Sequence, residues 1–397
     1  MKTADAVVIG AGVSGSSIAF RLAQRGLKVI IVDRKGPGAG ASGSCDKAIF
    51  MQSKRPGLHM ELAMASRRMY DTLEAELGHG MEFEADGGMV VIETPQQLEF
   101  MTEFVEKQRA AGISVSLVDG DEARRAQPFL APHILGASFS PDDADVNPLM
   151  LNTALFRAAT RLGVVAETHS EVLAVHTKHG QVRGVKTSRG EIAAPLVINA
   201  AGPFAQKLGA LSGVDIPILP RRGTILISEP VPRAVRGCLL DAQYIAAKHL
   251  RQDIDGGAPP YGVGLSLGQT ASGNLLIGGS REFAGFDRRP HRNVIATIAQ
   301  HFARIAPALA STRIIRTMTG FRPYTGDGLP IIDWAPGLNG YVIAAGHEGD
   351  GLALAPLTGQ LVADLVEGSG TYGHFLDGLR IDRFPAREPS QSQAMPA

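Results

Sequence analysis

The residues with the clearest chemical signature lie near the start of the chain. A short apolar run, Ala6–Ile9, leads into Gly10, Gly12 and Gly15 at the spacing G-x-G-x-x-G, and Asp33 ends the next apolar run. In a strand–turn–helix unit, these glycines allow a tight turn, close approach of a pyrophosphate and close packing of helix on strand. The free N–H groups and dipole of the helix N-terminus favour the phosphates. The pattern predicts a dinucleotide site, with Asp33 on the ribose hydroxyls; the alternative is a glycine-rich structural turn.

Further segments extend this pattern along most of the chain. They are Gly40–Ser44 (GASGS), Val172, Ile198–Gly202 (INAAG), Gly320–Pro323 (GFRP), Thr325–Pro330 (TGDGLP) and Gly346–Gly351 (GHEGDG). Together with the N-terminal motif they resemble the FAD-dependent D-amino-acid oxidase superfamily, which includes glycine oxidase and sarcosine oxidase. The resemblance implies FAD as the cofactor, and its motifs are much less specific for the substrate.

The resemblance also implies a set of residues that contact FAD. In this set, the segment around Ser42 passes the flavin ribityl and pyrophosphate, and backbone atoms of Val172 hold the adenine. The whole set is Gly10, Gly12, Val13, Ser14, Gly15, Asp33, Arg34, Ala41, Ser42, Ser44, Val172, Ala200, Gly202, Gly320, Arg322, Gly346, His347, Gly349, Asp350, Gly351 and Leu352.

Two segments resemble a narrower branch of that superfamily. Ser44–Gly57 (SCDKAIFMQSKRPG) and Gly346–Gly351 are similar to the FAD-bearing β subunits of opine oxidases, D-hydroxyproline dehydrogenases and hydrogen cyanide synthases. The branch implies partner subunits that relay electrons. Gly349 stands where glycine-oxidase-like enzymes have a bulky basic residue, so substrate contacts at that position do not carry over.

Arg322 is the main candidate for binding substrate. A guanidinium fixes a carboxylate through two parallel charge-assisted hydrogen bonds, and the resemblance places Arg322 on the carboxylate-binding arginine of the family. The alternative is a surface arginine after a strand.

Other catalytic candidates have structural alternatives of similar weight. His347 could touch substrate or flavin, or be a satisfied structural histidine, and the N-terminus of the helix that follows could direct N–H groups at the flavin pyrimidine edge. Glu348 and Asp350 are either site residues or ordinary loop carboxylates. Tyr244 and Tyr261 would cover the substrate face of the flavin and exclude water, or be core aromatics of a half-buried sheet.

Several polar residues are weaker candidates. Lys47, Gln52 and Lys54 could meet a second substrate carboxylate or face solvent, Gln269 lies in the strand-rich middle of the chain, and the dipeptide Arg281–Glu282 could be a plain ion pair.

Two other chemistries are disfavoured. Gly264-x-Ser266-x-Gly268 matches the hydrolase nucleophile elbow, but a true elbow needs a helix after the turn, and here turn residues and another strand follow. The 11 histidines form no metal-ligand spacing, which argues against a metalloenzyme.

Composition narrows the class of protein. The chain has 397 residues, 39 basic and 39 acidic side chains, 44% hydrophobic residues and 47 glycines. Zero net charge argues against nucleic-acid binding and against attraction to an anionic membrane. Cys45 and Cys238 lie far apart, which excludes a disulfide framework or an iron–sulfur cluster within the chain. No apolar stretch is long enough for a transmembrane helix, so the expected compartment is the cytoplasm.

The elements that must position these residues alternate between two types. Strands of the buried parallel type are predicted at Ala6–Ile9, Lys28–Asp33 and Pro195–Asn199, with helices at about Leu58–Leu77 and Leu352–Glu367. Thr94 and Asn147, each followed by proline, predict two further helix starts. Antiparallel-type segments lie between them, with a turn at Arg221–Gly223.

This alternation predicts an α/β (overall α+β) protein in which a Rossmann-like FAD-binding domain is interleaved with an antiparallel-sheet substrate domain. The expected pieces are 1–85, 145–215 and 320–380 for the first, 86–144 and 216–319 for the second, and a flexible tail at 384–397. The expected function is oxidation of the C–N bond of a small amino acid by hydride transfer to flavin N5. An opine or another secondary or D-amino acid, such as D-hydroxyproline, is slightly preferred. The alternatives are a glycine/sarcosine-type oxidase that uses oxygen and a non-catalytic flavin electron-relay subunit, and the expected partners carry an iron–sulfur, flavin or nucleotide site.

Overall fold

The computed structural model describes residues 1–249 and 260–385, so the predicted tail lies almost wholly outside the described residues. The strands are β1 (Lys2–Thr3), β2 (Ala6–Ile9), β3 (Val29–Val32), β4 (Ala48–Ile49), β5 (Gly88–Ile92), β6 (Ser116–Asp119), β7 (Gly136–Ser140), β8 (Ala144–Asp145), β9 (Val165–Glu167), β10 (Val172–Lys178), β11 (Gln181–Thr187), β12 (Gly190–Ala193), β13 (Leu196–Asn199), β14 (Leu219–Pro230), β15 (Cys238–Asp241), β16 (Ser266–Gln269), β17 (Asn274–Gly278), β18 (Ile314–Tyr324), β19 (Ile331–Trp334) and β20 (Tyr341–Ala345). The helices are α1 (Val13–Gln24), α2 (Leu58–Leu77), α3 (Pro95–Ala110), α4 (Gly120–Ala126), α5 (Pro148–Arg161), α6 (Ala205–Ala210), α7 (Ala242–His249), α8 (Arg292–Ile305) and α9 (Gly351–Glu367).

A six-stranded sheet in the order β19-β20-β13-β2-β3-β9 forms one layer. All its neighbouring pairs are parallel except β19 and β20. Strands β2 and β3 are uninterrupted apolar runs, and β13 is apolar up to Asn199, because both faces of the sheet are buried. Helix α1 packs between α5 and α9. The carboxyl ends of β2, β3, β13 and β20 therefore meet at one edge, which is where open α/β sheets bind ligands.

An eight-stranded sheet in the order β18-β14-β17-β16-β15-β5-β7-β6 forms the second layer. Its pairs are antiparallel except for β15 with β5. A four-stranded sheet, β1-β12-β11-β10, and the pair β4-β8 complete the strand pairing of the described residues. The sheets draw on alternating stretches of the chain, and the predicted fold class is confirmed.

Local sequence signals account for several boundaries. The side chain of Thr94 accepts a hydrogen bond from Gln97 N at the start of α3, and that of Asn147 accepts two at the start of α5. The predicted turn at Arg221–Gly223 is wrong, because β14 runs straight through it, paired residue by residue with β18. Helix α7 was not predicted.

Candidate active site

The turn between β2 and α1 requires its glycines. Gly10 has φ of +110°, and a Cβ there would lie 2.5 Å from the carbonyl oxygen of Ala200. A Cβ on Gly15 would lie 1.9 Å from the carbonyl oxygen of Gly10, so α1 and its preceding turn can approach this closely only with glycine. The result is a helix N-terminus facing open space at the edge of the six-stranded sheet.

Asp33 is held at the end of β3 next to this turn. Its carboxylate accepts hydrogen bonds from the backbone N–H of Ala11 at 2.9 Å and of Lys35 at 2.7 Å. The hydroxyl oxygen of Ser42 accepts from Val13 N at 3.1 Å and so fixes the GASGS loop over the start of α1. Turn, acid and loop together form the cradle that a dinucleotide needs.

A cavity of about 770 Å³ begins at this cradle and extends to the face of the eight-stranded sheet, a size in the range of ligand pockets. Most of the predicted site residues line it. They are Gly10, Gly12, Val13, Ser14, Asp33, Arg34, Ala41, Ser42, Ser44, Val172, Ala200, Gly202, Tyr244, Gly320, Arg322, His347, Gly349, Gly351 and Leu352.

Four predicted site residues are not part of its lining. Gly15 packs under the turn, and a Cβ on Gly346 would lie 2.3 Å from Thr325 Cγ2, so both glycines are required by close packing. Tyr261 lies in a short turn at Pro260–Gly262 with 38% of its surface exposed. The carboxylate of Asp350 is engaged in a separate buried cluster.

Arg322 projects from β18 at the end of the cavity away from the nucleotide cradle. Its Nη1 donates to the carbonyl oxygen of Ser280 at 2.9 Å. Gly223 pairs with Gly320 across the β14–β18 ladder, and a Cβ on Gly223 would lie 2.4 Å from Nη1 of Arg322, so glycine leaves room for the guanidinium. Within the described residues no carboxylate oxygen lies within ion-pair distance of Arg322, which leaves its N–H groups available to a ligand.

Glu348 is the buried carboxylate next to Arg322. Arg221 Nη1 donates to it at 3.2 Å, and Gly349 N donates to its other oxygen. Burial alone would raise the pKa of Glu348, but the charges of Arg322, Arg221 and other nearby cations outweigh burial and hold its pKa below the ordinary value. Glu348 is therefore ionised and largely occupied by Arg221.

Tyr244, at the start of α7, closes the same end of the cavity. The guanidinium of Arg281 stacks on its ring, 4.0 Å from the ring centre. Burial raises the pKa of the Tyr244 hydroxyl, so it stays protonated. The predicted pairing of Arg281 with Glu282 is not found, since Glu282 pairs with Arg222 at 2.7 Å.

His347 lies at the boundary between β20 and α9. Its Nε2 is 2.9 Å from the hydroxyl oxygen of Thr358, and that hydroxyl donates to the carbonyl oxygen of Leu354. Because the Thr358 hydroxyl has a single proton, His347 must be the donor, which leaves its Nδ1 unprotonated. Burial lowers the pKa of His347 to about 4, so the ring is neutral near pH 7.

Asp350 anchors a buried charged cluster beneath the N-terminus of α9. Lys54 Nζ donates to it at 2.7 Å and Lys248 Nζ at 2.9 Å, and His59 Nε2 lies 2.9 Å from its second oxygen. Burial alone would raise the pKa of Asp350, but the two lysines hold it well below its ordinary value. Through these contacts the cluster connects three parts of the chain to the loop that carries His347. They are α7, α2 and the segment that precedes α2.

Asp350→Asn is expected to destabilise the folded protein strongly. The change leaves the buried ammonium of Lys54 and that of Lys248 without their carboxylate, and breaking a buried ion pair costs about 3–5 kcal/mol of the free energy of unfolding. Urea denaturation at a fixed FAD concentration measures the difference. Asp121→Asn, which removes an exposed i,i+3 pair with Arg124, is the control and should leave the curve unchanged.

The loss of stability in Asp350→Asn is expected to depend on pH. The folded pKa of Asp350 lies below its unfolded value, so its contribution to stability is present above about pH 4 and is lost as the pH falls further. The difference between wild type and Asp350→Asn should shrink below that pH. A difference that is absent at pH 7 would contradict the role given to Asp350.

The three weaker candidates after the flavin loop are all buried. Lys47 donates to the carbonyl oxygen of Gln269 and pairs with Asp145 at 2.6 Å. Gln52 is hydrogen-bonded to Asp143, and Lys54 belongs to the Asp350 cluster. None of them faces solvent.

Ser266 of the G-x-S-x-G sequence lies inside β16, which a turn connects to β17. No helix follows it, so there is no nucleophile elbow.

Sequence reasoning missed several cavity residues. Cys45 and Asp46 directly follow the flavin loop and line the substrate end, while Phe204 and Phe286 stack with ring centres 4.4 Å apart and line the opposite part. Position next to the GASGS loop was the available signal for Asp46. The aromatic pair joins residues about eighty positions apart, and nothing local in the sequence indicates it.

The glycine cradle lies at the carboxyl edge of a mostly parallel sheet, and the cavity runs from it to a second, mostly antiparallel sheet. This combination defines a dinucleotide-dependent enzyme built of two interleaved sheets. The chain belongs to the FAD-dependent oxidoreductase family known as DAO, whose model matches residues 5–365. Its cofactor is FAD, and the backbone turn, Asp33 and Ser42 fit that group. Among the described residues, no helix is both long and apolar enough to span a bilayer.

Individual relatives agree with this family. The chain is 30% identical to hydrogen cyanide synthase subunit HcnC of Pseudomonas aeruginosa, over 92% of this chain and 93% of that protein. It is also 30% identical to a glycine oxidase of Geobacillus kaustophilus, over 91% and 93% of the two chains. Among solved structures, the L-proline dehydrogenase from P. horikoshii superposes with a TM-score of 0.85 at 26% identity, covering 96% of this chain and 98% of the other.

Proposed function

We propose that this enzyme oxidises the C–N bond of a small amino acid, most favourably an opine or another secondary or D-amino acid such as D-hydroxyproline. The observation that carries the proposal is Arg322, a half-buried guanidinium that lines the cavity and that no carboxylate among the described residues approaches within ion-pair distance. A guanidinium in this position suits a substrate carboxylate, which it holds through two parallel hydrogen bonds.

In this proposal the protein acts by position and electrostatics. FAD, when bound, supplies the chemistry by accepting a hydride from the substrate carbon that carries the amine. Arg322 fixes the carboxylate on that carbon, and Tyr244 closes the cavity and excludes water. The N-terminus of α9, at Gly351 and Leu352, directs backbone N–H groups into the cavity, where they favour negative charge. The imine product hydrolyses after release.

The relatives leave two alternatives. Glycine oxidases among them favour a glycine/sarcosine-type substrate with oxygen as acceptor. Hydrogen cyanide synthase subunit HcnC, named as a subunit, is consistent with a chain that works inside an assembly, where it could also be a non-catalytic electron relay. Gly349 lines the cavity next to Arg322, and the absence of a side chain there leaves space for a substrate larger than glycine.

An anaerobic substrate panel tests the proposal. Opines, D-hydroxyproline, D- and L-proline, sarcosine, glycine and several D-amino acids are mixed with the isolated flavoprotein, and flavin absorbance is followed. We expect fast bleaching by at least one secondary amino acid and slow bleaching by glycine. A flavin that dithionite reduces but no amino acid reduces would identify a relay subunit and contradict the proposal.

A related prediction concerns the electron acceptor. Cys45 and Cys238 are both free and cannot form a cluster, so this chain lacks an iron–sulfur relay of its own, and we propose that partner subunits carry electrons onward. Stopped-flow reoxidation of the substrate-reduced chain should be slow with dissolved oxygen and fast with an artificial dye. Rapid oxygen turnover with stoichiometric hydrogen peroxide would instead show a self-sufficient oxidase.

A further inference from the structure

Asp46 is a carboxylate at the substrate end of the cavity, and the binding of FAD does not require it. It lines the cavity together with Cys45, Tyr244 and Arg322 and is partly buried. The Ser266 hydroxyl donates to its Oδ2 at 2.6 Å. Among the described residues no lysine, arginine or histidine forms an ion pair with Asp46. The neighbouring Lys47 pairs with Asp145 instead. A partly buried carboxylate without a counter-ion attracts a cationic group of a ligand.

The cofactor cannot be that counter-ion. FAD carries phosphates, hydroxyls and a flavin ring that becomes more negative on reduction, so its hydroxyls can donate hydrogen bonds but none of its groups is a cation. A cation must therefore come from another ligand of the same cavity.

Asp46 and Arg322 present opposite charges to this end of the cavity. Burial raises the pKa of the Cys45 thiol, and the charge of Asp46 raises it further while that of Arg322 lowers it. Burial also raises the pKa of Tyr244, the charge of Asp46 raises it further, and the charge of Arg322 lowers it. Both charged groups thus lie near the same two residues of one cavity, an arrangement suited to a ligand that carries both a cation and a carboxylate.

We propose that Asp46 binds the amine of the substrate, opposite Arg322 on the carboxylate, and so selects amines over ethers of the same shape. This inference rests on the proposed function. A carboxylate accepts an N–H from the ammonium form during binding and still accepts one from the neutral amine, which is the form that is oxidised. The Ser266 hydroxyl orients Asp46 by occupying one oxygen and leaving the other for the substrate.

A two-by-two binding experiment tests the assignment. The ligands are racemic proline and racemic tetrahydrofuran-2-carboxylate, in which a ring oxygen replaces the N–H. The proteins are the wild-type flavoprotein and Asp46→Asn, which keeps the shape and can still accept from Ser266. Both proteins are first reduced with dithionite in the absence of oxygen, so that proline binds without being oxidised, and calorimetry measures the dissociation constants.

In the wild type we expect proline to bind more tightly than the ether. Asp46→Asn should weaken proline binding by about 10- to 150-fold, the range for a hydrogen bond to a charged group, and should leave the ether unchanged or bound more tightly. Ser266→Ala, the matched control, keeps the charge and should cost proline binding only a few-fold.

Equal affinity of the wild type for the two ligands would overturn the assignment. A parallel loss for both ligands in Asp46→Asn would also overturn it, because that result indicates a structural role. The amino-acid panel separates this failure from that of the proposed function. If an amino acid reduces the wild-type flavin but the binding changes do not distinguish amine from ether, only the Asp46 assignment fails.

Discussion

Replacing Arg322 with alanine is expected to lower the second-order rate constant of flavin reduction by substrate about 30-fold to several thousand-fold, while FAD stays bound. This range corresponds to the loss of a desolvated charge-assisted contact, about 2–5 kcal/mol. Truncation leaves the substrate carboxylate at the end of a closed cavity without its partner. Anaerobic stopped-flow reduction with the best substrate of the panel, over a range of substrate concentrations, measures the change.

One further variant shows whether the effect arises from the bidentate geometry of the guanidinium or from its charge alone, and a second variant is the control. Arg322→Lys keeps the charge but loses the bidentate geometry, so its rate constant should fall between those of the wild type and of the alanine variant. Arg316→Ala removes an exposed arginine from the same strand, β18, and should reduce normally. Wild-type reduction kinetics in Arg322→Ala would refute the carboxylate-binding role.

Gly10→Ala is expected to abolish FAD binding in the purified protein. The new Cβ would lie 2.5 Å from the carbonyl oxygen of Ala200, at a φ of +110° that L side chains rarely adopt, so the β2–α1 turn must move. That movement displaces the N–H groups that face the phosphates. Gly36→Ala is the control, since nothing lies within 4 Å of a Cβ at that position.

The FAD content of both variants is measured by denaturation and chromatography of the released nucleotide. The wild type and Gly36→Ala should yield one FAD per chain, and Gly10→Ala should yield little. If Gly10→Ala retained a full complement of FAD, the cradle would not be the phosphate site, and recovery of NAD from the wild type would contradict the cofactor itself.

The N-terminal part of the fold was predictable because its signals are local. The apolar runs that form β2 and β3, the glycine spacing between β2 and α1, and the capped start of α3 all act over a few residues. Leu58–Leu77 was predicted with the bounds that the structure shows, since an αL glycine, Gly78, ends that helix where the pattern ends.

The middle of the chain was harder because long-range pairing decides it. Gly223 suggested a turn, but the residue serves to make room for Arg322 inside a long ladder of β14 with β18. Helix α7 begins at Ala242, where Asp241 accepts from the backbone N–H of Tyr244, and this capping acid belongs to a strand of the second sheet. Neither feature has a signal that stands out from the local sequence.

The candidate site shows the same difference between residues with a local sequence signal and residues placed by long-range contacts. Motif spacing predicted the cofactor cradle and Arg322, but it also suggested Asp350, and the strand-rich middle of the chain suggested Tyr261; neither residue lines the cavity. Asp350 is drawn into a buried cluster by Lys54 and Lys248, residues far from it in sequence. A carboxylate in a glycine-rich loop has the same local signature whether it faces a ligand or a lysine.

The central claim is that this chain itself oxidises an amino acid with its own FAD. An anaerobic titration of the isolated flavoprotein with the best substrate of the panel, with product identification and an α-deuterated sample in parallel, tests it most directly. We expect one carbonyl product, derived from the hydrolysed imine, for each flavin bleached, and slower bleaching with deuterium at the carbon that bears the amine. Bleaching that requires an added partner protein, or product without bleaching, would contradict it.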